Sequence, residues 1–124
     1  MMKKEEMVKL WFEQAKLDYR SAQHSLYSKD YYVVGLLCQQ AVEKALKYLL
    51  LKNGGALIKT HDLVHLGQLC KAPEFIISHC SYINPLYVVL RYPDDETLPS
   101  KKINKKDALL ILEYAKQVLQ WIEN

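Results

Sequence analysis

Arginine is scarce in this chain. Of its 17 basic residues only Arg20 and Arg91 are arginine, and the rest are lysine. Because the guanidinium fork matches carboxylate and phosphate better than an ammonium does, these two positions stand out as candidate anion-binding cations. Cysteine is sparse too. Cys38, Cys70 and Cys80 make an odd number, with no C-x-x-C pair and no metal-ligand spacing. Their largely apolar neighbours point to buried free thiols in a reducing cytoplasm. No uncharged run inside the most apolar segment reaches the ~18 to 20 residues of a membrane span. Met1 to Lys9 is charged and no apolar stretch follows it, so no signal peptide is expected. Strand patterning is missing as well, because Val, Ile and Thr never alternate strictly with polar residues over a useful length. Repeats and low-complexity segments are absent. These absences point to a soluble, cytoplasmic, all-helical protein with no membrane partner, no metal and no cofactor.

What remains is ample for a core. The chain has 124 residues, half of them apolar, enough for one domain spanning residues 1–124. Its net charge of +3 falls well short of the footprint of a dedicated DNA-binding domain.

Helical periodicity runs through most of the sequence. Between about Glu5 and Ser28, Val8, Trp11, Phe12, Ala15, Tyr19, Ala22 and Leu26 share one face, and Leu10 and Leu17 form a second, narrower stripe. Two apolar stripes imply two neighbours, one of which can be another subunit. Ser28-Lys29-Asp30 makes a turn, with Asp30 as the expected cap of the next helix. That helix runs from about Tyr31 to Lys52 and carries a strip of small residues, Gly35, Cys38, Ala41 and Ala45, which allows close approach by another helix. Asn53-Gly54-Gly55 ends it. Thr60 is the expected cap of a short third helix, about His61 to Cys70, with Asp62 in its first turn. A fourth helix follows from Glu74 to Leu90, with a kink or break near Ser81 to Asn84 imposed by Pro85. Asn104 and Asp107 have the spacing of a capping box for a last helix, in which Ala108, Ile111, Leu112, Ala115, Val118, Leu119 and Ile122 share a face. Four to five helices with short connections predict an antiparallel up-down bundle.

The second helix holds the most informative feature. It is apolar almost all round, yet Gln40, Glu43, Lys44 and Lys47 stand at i, i+3, i+4 and i+7, one polar stripe. A central helix with a wet seam is a place for a ligand to lie. Glu43 and Lys47 are also an i,i+4 pair in the favoured order, so a plain helical salt bridge explains the spacing equally.

Four segments carry a family resemblance. They are Trp11 to Tyr19 in the first helix, Gln39-Gln40-Ala41-Val42-Glu43-Lys44-Ala45-Leu46-Lys47 in the second, Thr60-His61-Asp62-Leu63, and Arg91-Tyr92-Pro93-Asp94. In this order, spacing and length the chain resembles a HEPN domain over nearly its whole extent. The resemblance implies a helical bundle that pairs into a homodimer. It also implies work beside a minimal nucleotidyltransferase partner in a two-component system of toxin–antitoxin type, and a link to nucleotides or RNA. Many HEPN proteins are metal-independent RNases with a motif of Arg, four to six residues, then His. That spacing supplies a cation for the scissile phosphate and a general acid/base. Here Glu96, Thr97 and Leu98 occupy the His positions after Arg91; after Arg20 they hold Ser25, Leu26 and Tyr27, and His24 comes one residue too early. A nucleotide- or RNA-associated binding module therefore ranks ahead of an RNase with a non-standard Arg/His site, and ahead of a purely structural docking subunit.

The candidate phosphate site consists of Arg91 as the main cation, with Lys44 and Lys47 secondary. Tyr92 offers a π-face, and Asp94 or Glu43 would orient Arg91 or a ribose. A cation at a helix C-terminus is the plain alternative for Arg91. Thr60, His61 and Asp62 are read as ordering their loop. His61 and His65 are spaced like an H-E-x-x-H zinc pair but lack its Glu and a third ligand, so no metal is expected. Tyr31, Tyr32 and Trp121 belong to the core or an interface, and Lys101, Lys102, Lys105 and Lys106 to a solvated loop.

Overall fold

In the computed structural model, which describes residues 2–93 and 97–124, the described residues form helices and no strand. The helices are α1 (Lys4–Tyr27), α2 (Tyr31–Lys52), α3 (Leu63–Leu69), α4 (Glu74–Ile83), α5 (Leu86–Val89) and α6 (Lys105–Glu123), with a 3₁₀ turn at Pro99–Lys101 before the last. No helix among the described residues is long and apolar enough to cross a membrane.

α2 is the central element, packing on α1, α3, α4, α5 and α6. That is why its apolar positions run round the helix rather than along one face. The three-residue connection 28–30 makes α1 and α2 antiparallel neighbours. Lys29 adopts φ 62° there, and Asp30 N–H donates to the Ser25 carbonyl to close the turn. The small-residue strip is buried throughout. Its tightest point is Gly35, where an added Cβ would lie 2.4 Å from Leu90 Cδ1 and 3.2 Å from Ile103 Cδ1. With only a hydrogen at that position, Leu90 and Ile103 pack directly against the α2 backbone.

α6 buries every residue of its expected face, from Ala108 to Ile122. Its capping box is complete, with Asn104 Oδ1 accepting from Asp107 N–H and Asp107 Oδ2 accepting from Asn104 N–H. α1 buries Phe12, Ala15 and Ala22 and leaves Leu10 and Leu17 about half exposed. Tyr31, Tyr32 and Trp121 pack partly buried against the core.

Two local expectations are corrected. Asp30 stands at the N-cap position of α2 but makes no side-chain cap hydrogen bond. The cap of α3 is Asp62, not Thr60, so that helix opens at Leu63. The Asp62 carboxylate reaches the N–H groups of Val64 and His65, while the Thr60 hydroxyl accepts from Asp62 N–H and braces the approach. The fourth helix breaks as expected, into α4 and α5. Pro85 lacks an N–H and cannot continue the ladder, so the chain turns at Asn84 and Pro85 before α5.

Candidate functional site

The polar stripe of α2 divides between two environments. Lys44 turns toward α1, where its Nζ meets Asp18 Oδ2 at 2.5 Å, and Gln14 donates to the other Asp18 oxygen at 2.9 Å. Glu43 and Lys47 are buried and pair with each other at 3.0 Å. Gln39, fully buried, donates to Glu43 Oε1 at 3.1 Å and accepts from Gln40 at 2.8 Å. The seam is therefore internal, a charged strand of side chains inside the bundle. Buried charge of this kind is tolerated when it is paired and fully hydrogen-bonded. Among the described residues no buried side-chain N or O lacks a hydrogen-bond partner. Burial by itself would raise the Glu43 carboxyl, but hydrogen bonds from His61, Lys47 and Gln39, with the Lys47 charge, outweigh it and hold the group below its ordinary range.

His61 carries this network to the surface. Its Nδ1 lies 2.9 Å from Glu43 Oε1, and its ring is about half exposed. An ionised carboxylate only accepts, so Nδ1–H donates and the outer nitrogen, Nε2, faces away from this bond. The imidazole stacks on Tyr87 with centroids 4.1 Å apart and planes 16° from parallel. Arg91, exposed, places its guanidinium 4.4 Å from the centroid of the same ring. A continuous row thus runs Lys47, Glu43, His61, Tyr87, Arg91, from the interior to solvent.

The break after α4 aims this row. Asn84 sits at the break, accepts from Leu63 N–H at 2.9 Å and donates to Asp62 Oδ1 at 3.1 Å. It ties the start of α3, and hence His61, to the start of α5, and hence Tyr87. Beyond α5, Lys102 Nζ donates to the carbonyls of Val89 and Tyr92 and holds the chain around Arg91.

The expected site residues thus fall into distinct places. Glu43, Lys47, His61 and Arg91 share the row, with Glu43 reaching Arg91 through two rings rather than directly. Lys44 belongs to the α1 side. Tyr92 is exposed and, with Arg91, lines a groove also bounded by Tyr32, Leu36 and Leu90. Thr60 and Asp62 make the local hydrogen bonds that start α3. Asp94 lies outside the described residues. Among those described, no three His, Cys, Asp or Glu side chains gather as metal ligands would. Sequence reasoning missed Tyr87. Its one signal was the four-residue spacing to Arg91, which brings a ring and a cation onto one helical stripe.

Comparison with known proteins agrees with this architecture. The chain superposes on the crystal structure of TT1696 from Thermus thermophilus with a TM-score of 0.86 and 28% identity, over 94% of this chain and 95% of that one. It superposes on ST0689, an archaeal HEPN homologue, with a TM-score of 0.82 and 30% identity, over 94% of each chain. No curated protein matches it. The HEPN domain model matches residues 8–124, and the chain belongs to the HEPN domain family.

Proposed function

We propose that this protein is a cytoplasmic nucleotide- or RNA-binding module that acts with a minimal nucleotidyltransferase in a two-component system of toxin–antitoxin type. The observation that carries the binding reading is the exposed Arg91 guanidinium resting on the Tyr87–His61 stack. A phosphate there meets a cation whose side chain is already ordered by the ring beneath it, so less freedom is lost on binding. His61 adds a second polar group on the same row, joined to the cation by the Tyr87 ring. The HEPN affiliation supports the nucleotidyltransferase partner.

A homodimer belongs to the same proposal. The outer stripe of α1 offers Met7, Leu10 and Leu17, each about half exposed, beside a groove that Trp11 and Lys44 also line. A second copy covering that stripe would take three half-exposed apolar side chains of the helix out of water.

One observation favours a second reading, metal-independent RNA cleavage. Glu43 orients a half-exposed imidazole, and Tyr87 joins that imidazole to an exposed arginine, so an acid/base and a cation of the kinds that transesterification by a 2′-hydroxyl requires stand on one row.

Titration of the purified protein with AMP, GTP and a short single-stranded RNA, alone and with the neighbouring nucleotidyltransferase, tests the binding reading. Saturable binding that Arg91→Ala weakens by about tenfold or more, roughly 1.4 kcal/mol, is expected. Binding that is absent, or indifferent to Arg91→Ala, rejects it. Cleavage of the RNA that both His61→Ala and Arg91→Ala abolish would establish the second reading.

A further inference from the structure

The face formed by α4 and α6 holds a group of side chains that the Arg91 end of the bundle does not use. Phe75, His79 and Tyr82 stand at i, i+4 and i+7 on α4, and Tyr114 joins them from α6. Together they make a row of four rings. Phe75 meets His79 edge-on at 6.0 Å, His79 stacks on Tyr114 at 4.2 Å, and Tyr114 meets Tyr82 edge-on at 5.2 Å. The row is fixed from beneath. His79 Nε2 lies 2.6 Å from Gln117 Oε1, and an amide oxygen only accepts, so the imidazole donates and its orientation is set. The outer rings remain open, with Phe75 55% and Tyr82 42% exposed.

Beside the row lies a groove of about 700 Å³, lined among others by Gln68, Glu74, Ser78, Ser81, Tyr82 and Tyr114. Gly67 lets α3 lie close against α4 there, since a Cβ would come 2.9 Å from Ile77 Cδ1. Tyr82 and Tyr114 stand 85° apart and form two walls of an aromatic corner. Among the described residues, Glu74 is the one charged side chain lining the groove. The field from Asp107 also reaches the Tyr82 hydroxyl; after burial, it is the next influence keeping that phenol protonated. The groove is thus aromatic and hydroxyl-rich and carries one carboxylate, within a chain of net charge +3.

We propose that this groove binds an arginine side chain presented by a protein partner. A guanidinium stacks flat on a tyrosine face while its edge donates to a carboxylate and to hydroxyl oxygens. Tyr82 offers the ring face, and Glu74, Ser78 and Ser81 line the same groove with carboxylate and hydroxyl oxygens. An ammonium would gain the charge interaction but not the stacking or the bidentate edge. A nucleic acid fits poorly, because its phosphates would face Glu74 with no cation among the described lining residues. The site is separate from the Arg91 row, and its existence does not depend on what that row binds.

Nuclear magnetic resonance titration of the full chain with N-acetyl-arginine amide, and with the lysine analogue, tests the proposal. Saturable shifts of the Tyr82 and Tyr114 ring signals are expected, with a dissociation constant on the order of millimolar, as suits a single side chain. The lysine analogue should bind at least about threefold more weakly. Glu74→Gln and Tyr82→Leu, both at solvent-accessible positions, should each weaken arginine binding about fivefold, whereas Arg91→Ala should not change it. Equal response to both analogues, shifts that persist in both groove variants, or displacement of the arginine amide by single-stranded RNA would overturn the proposal.

Discussion

His61 donates from Nδ1 to Glu43 Oε1 across 2.9 Å, and this bond joins a buried ion pair to an exposed ring. The Glu43 carboxylate accepts from three side chains at once, Gln39, Lys47 and His61. Stability and surface chemistry therefore meet at one residue.

Removing the Glu43 charge should be costly, because it leaves the Lys47 ammonium buried without an anion. For Glu43→Gln the expected loss is about 3 to 5 kcal/mol, read as a lower urea midpoint. Lys47→Met in the same chain should restore most of it, since an apolar side chain of similar length needs no partner. A single variant as stable as the parent would show that the pair is hydrated in solution.

The same group sets an acid limit. Folded Glu43 releases its proton more readily than the unfolded chain does, from an ordinary value of 4.5. Its contribution is complete above that value and is lost as pH falls through the lower folded one. Unfolding free energy measured from pH 7 down to pH 3 should fall more steeply for the parent than for Glu43→Gln. Parallel curves would contradict the assignment. At the alkaline end Tyr19, pushed up to about 12 by burial and then by the charges of Cys38 and Glu113, acts in the opposite sense. Its stabilisation is complete below pH 10 and declines as pH rises toward 12.

Gly35→Ala pits helix propensity against packing. Alanine gains roughly 1 kcal/mol as a helix former. Its Cβ, however, would lie 2.4 Å from Leu90 Cδ1, and Leu90 is buried, so a packed core side chain must shift to admit it. Overpacking of this kind costs about 1 to 3 kcal/mol, so a net loss is expected. Leu90→Val should recover part of it. A melting temperature that rises with Gly35→Ala alone would mean that α5 has room to move.

The thiols should be slow to react in the folded protein. Burial lifts Cys70 to about 11 and, with the nearby Cys70, lifts Cys80 to about 12; Cys38 is raised further by burial alone. Little thiolate is then present at pH 8. Ellman's reagent should label Cys70, the least buried, first, and all three only in denaturant. Rapid labelling of all three without denaturant would rule out this packing.

Much of the fold was legible because helical periodicity is a local signal. The α6 face and its capping box follow directly from residue spacing, and both ends of α2 fall where Asp30 and Asn53 bound the apolar run. Caps were harder. Thr60 and Asp62 are both good cap residues, and the choice between them depends on which oxygen reaches the first free N–H groups. The site was legible in part. The spacing of Glu43 and Lys47 announced a pair, but not its burial. Nothing local linked His61 to Tyr87, because they lie far apart in the chain and Asn84 joins their segments.

The order of apolar and polar residues alone fixed this protein as a helical bundle centred on α2, since 3.6 residues per turn converts spacing into faces without reference to any neighbour. Which polar residues became interior and which remained at the surface was decided only when α1, α3 and α5 closed around α2. Desolvation and hydrogen bonding between distant residues depend on distances that no local pattern encodes. That closure turned a stripe on one helix into a row ending at Arg91.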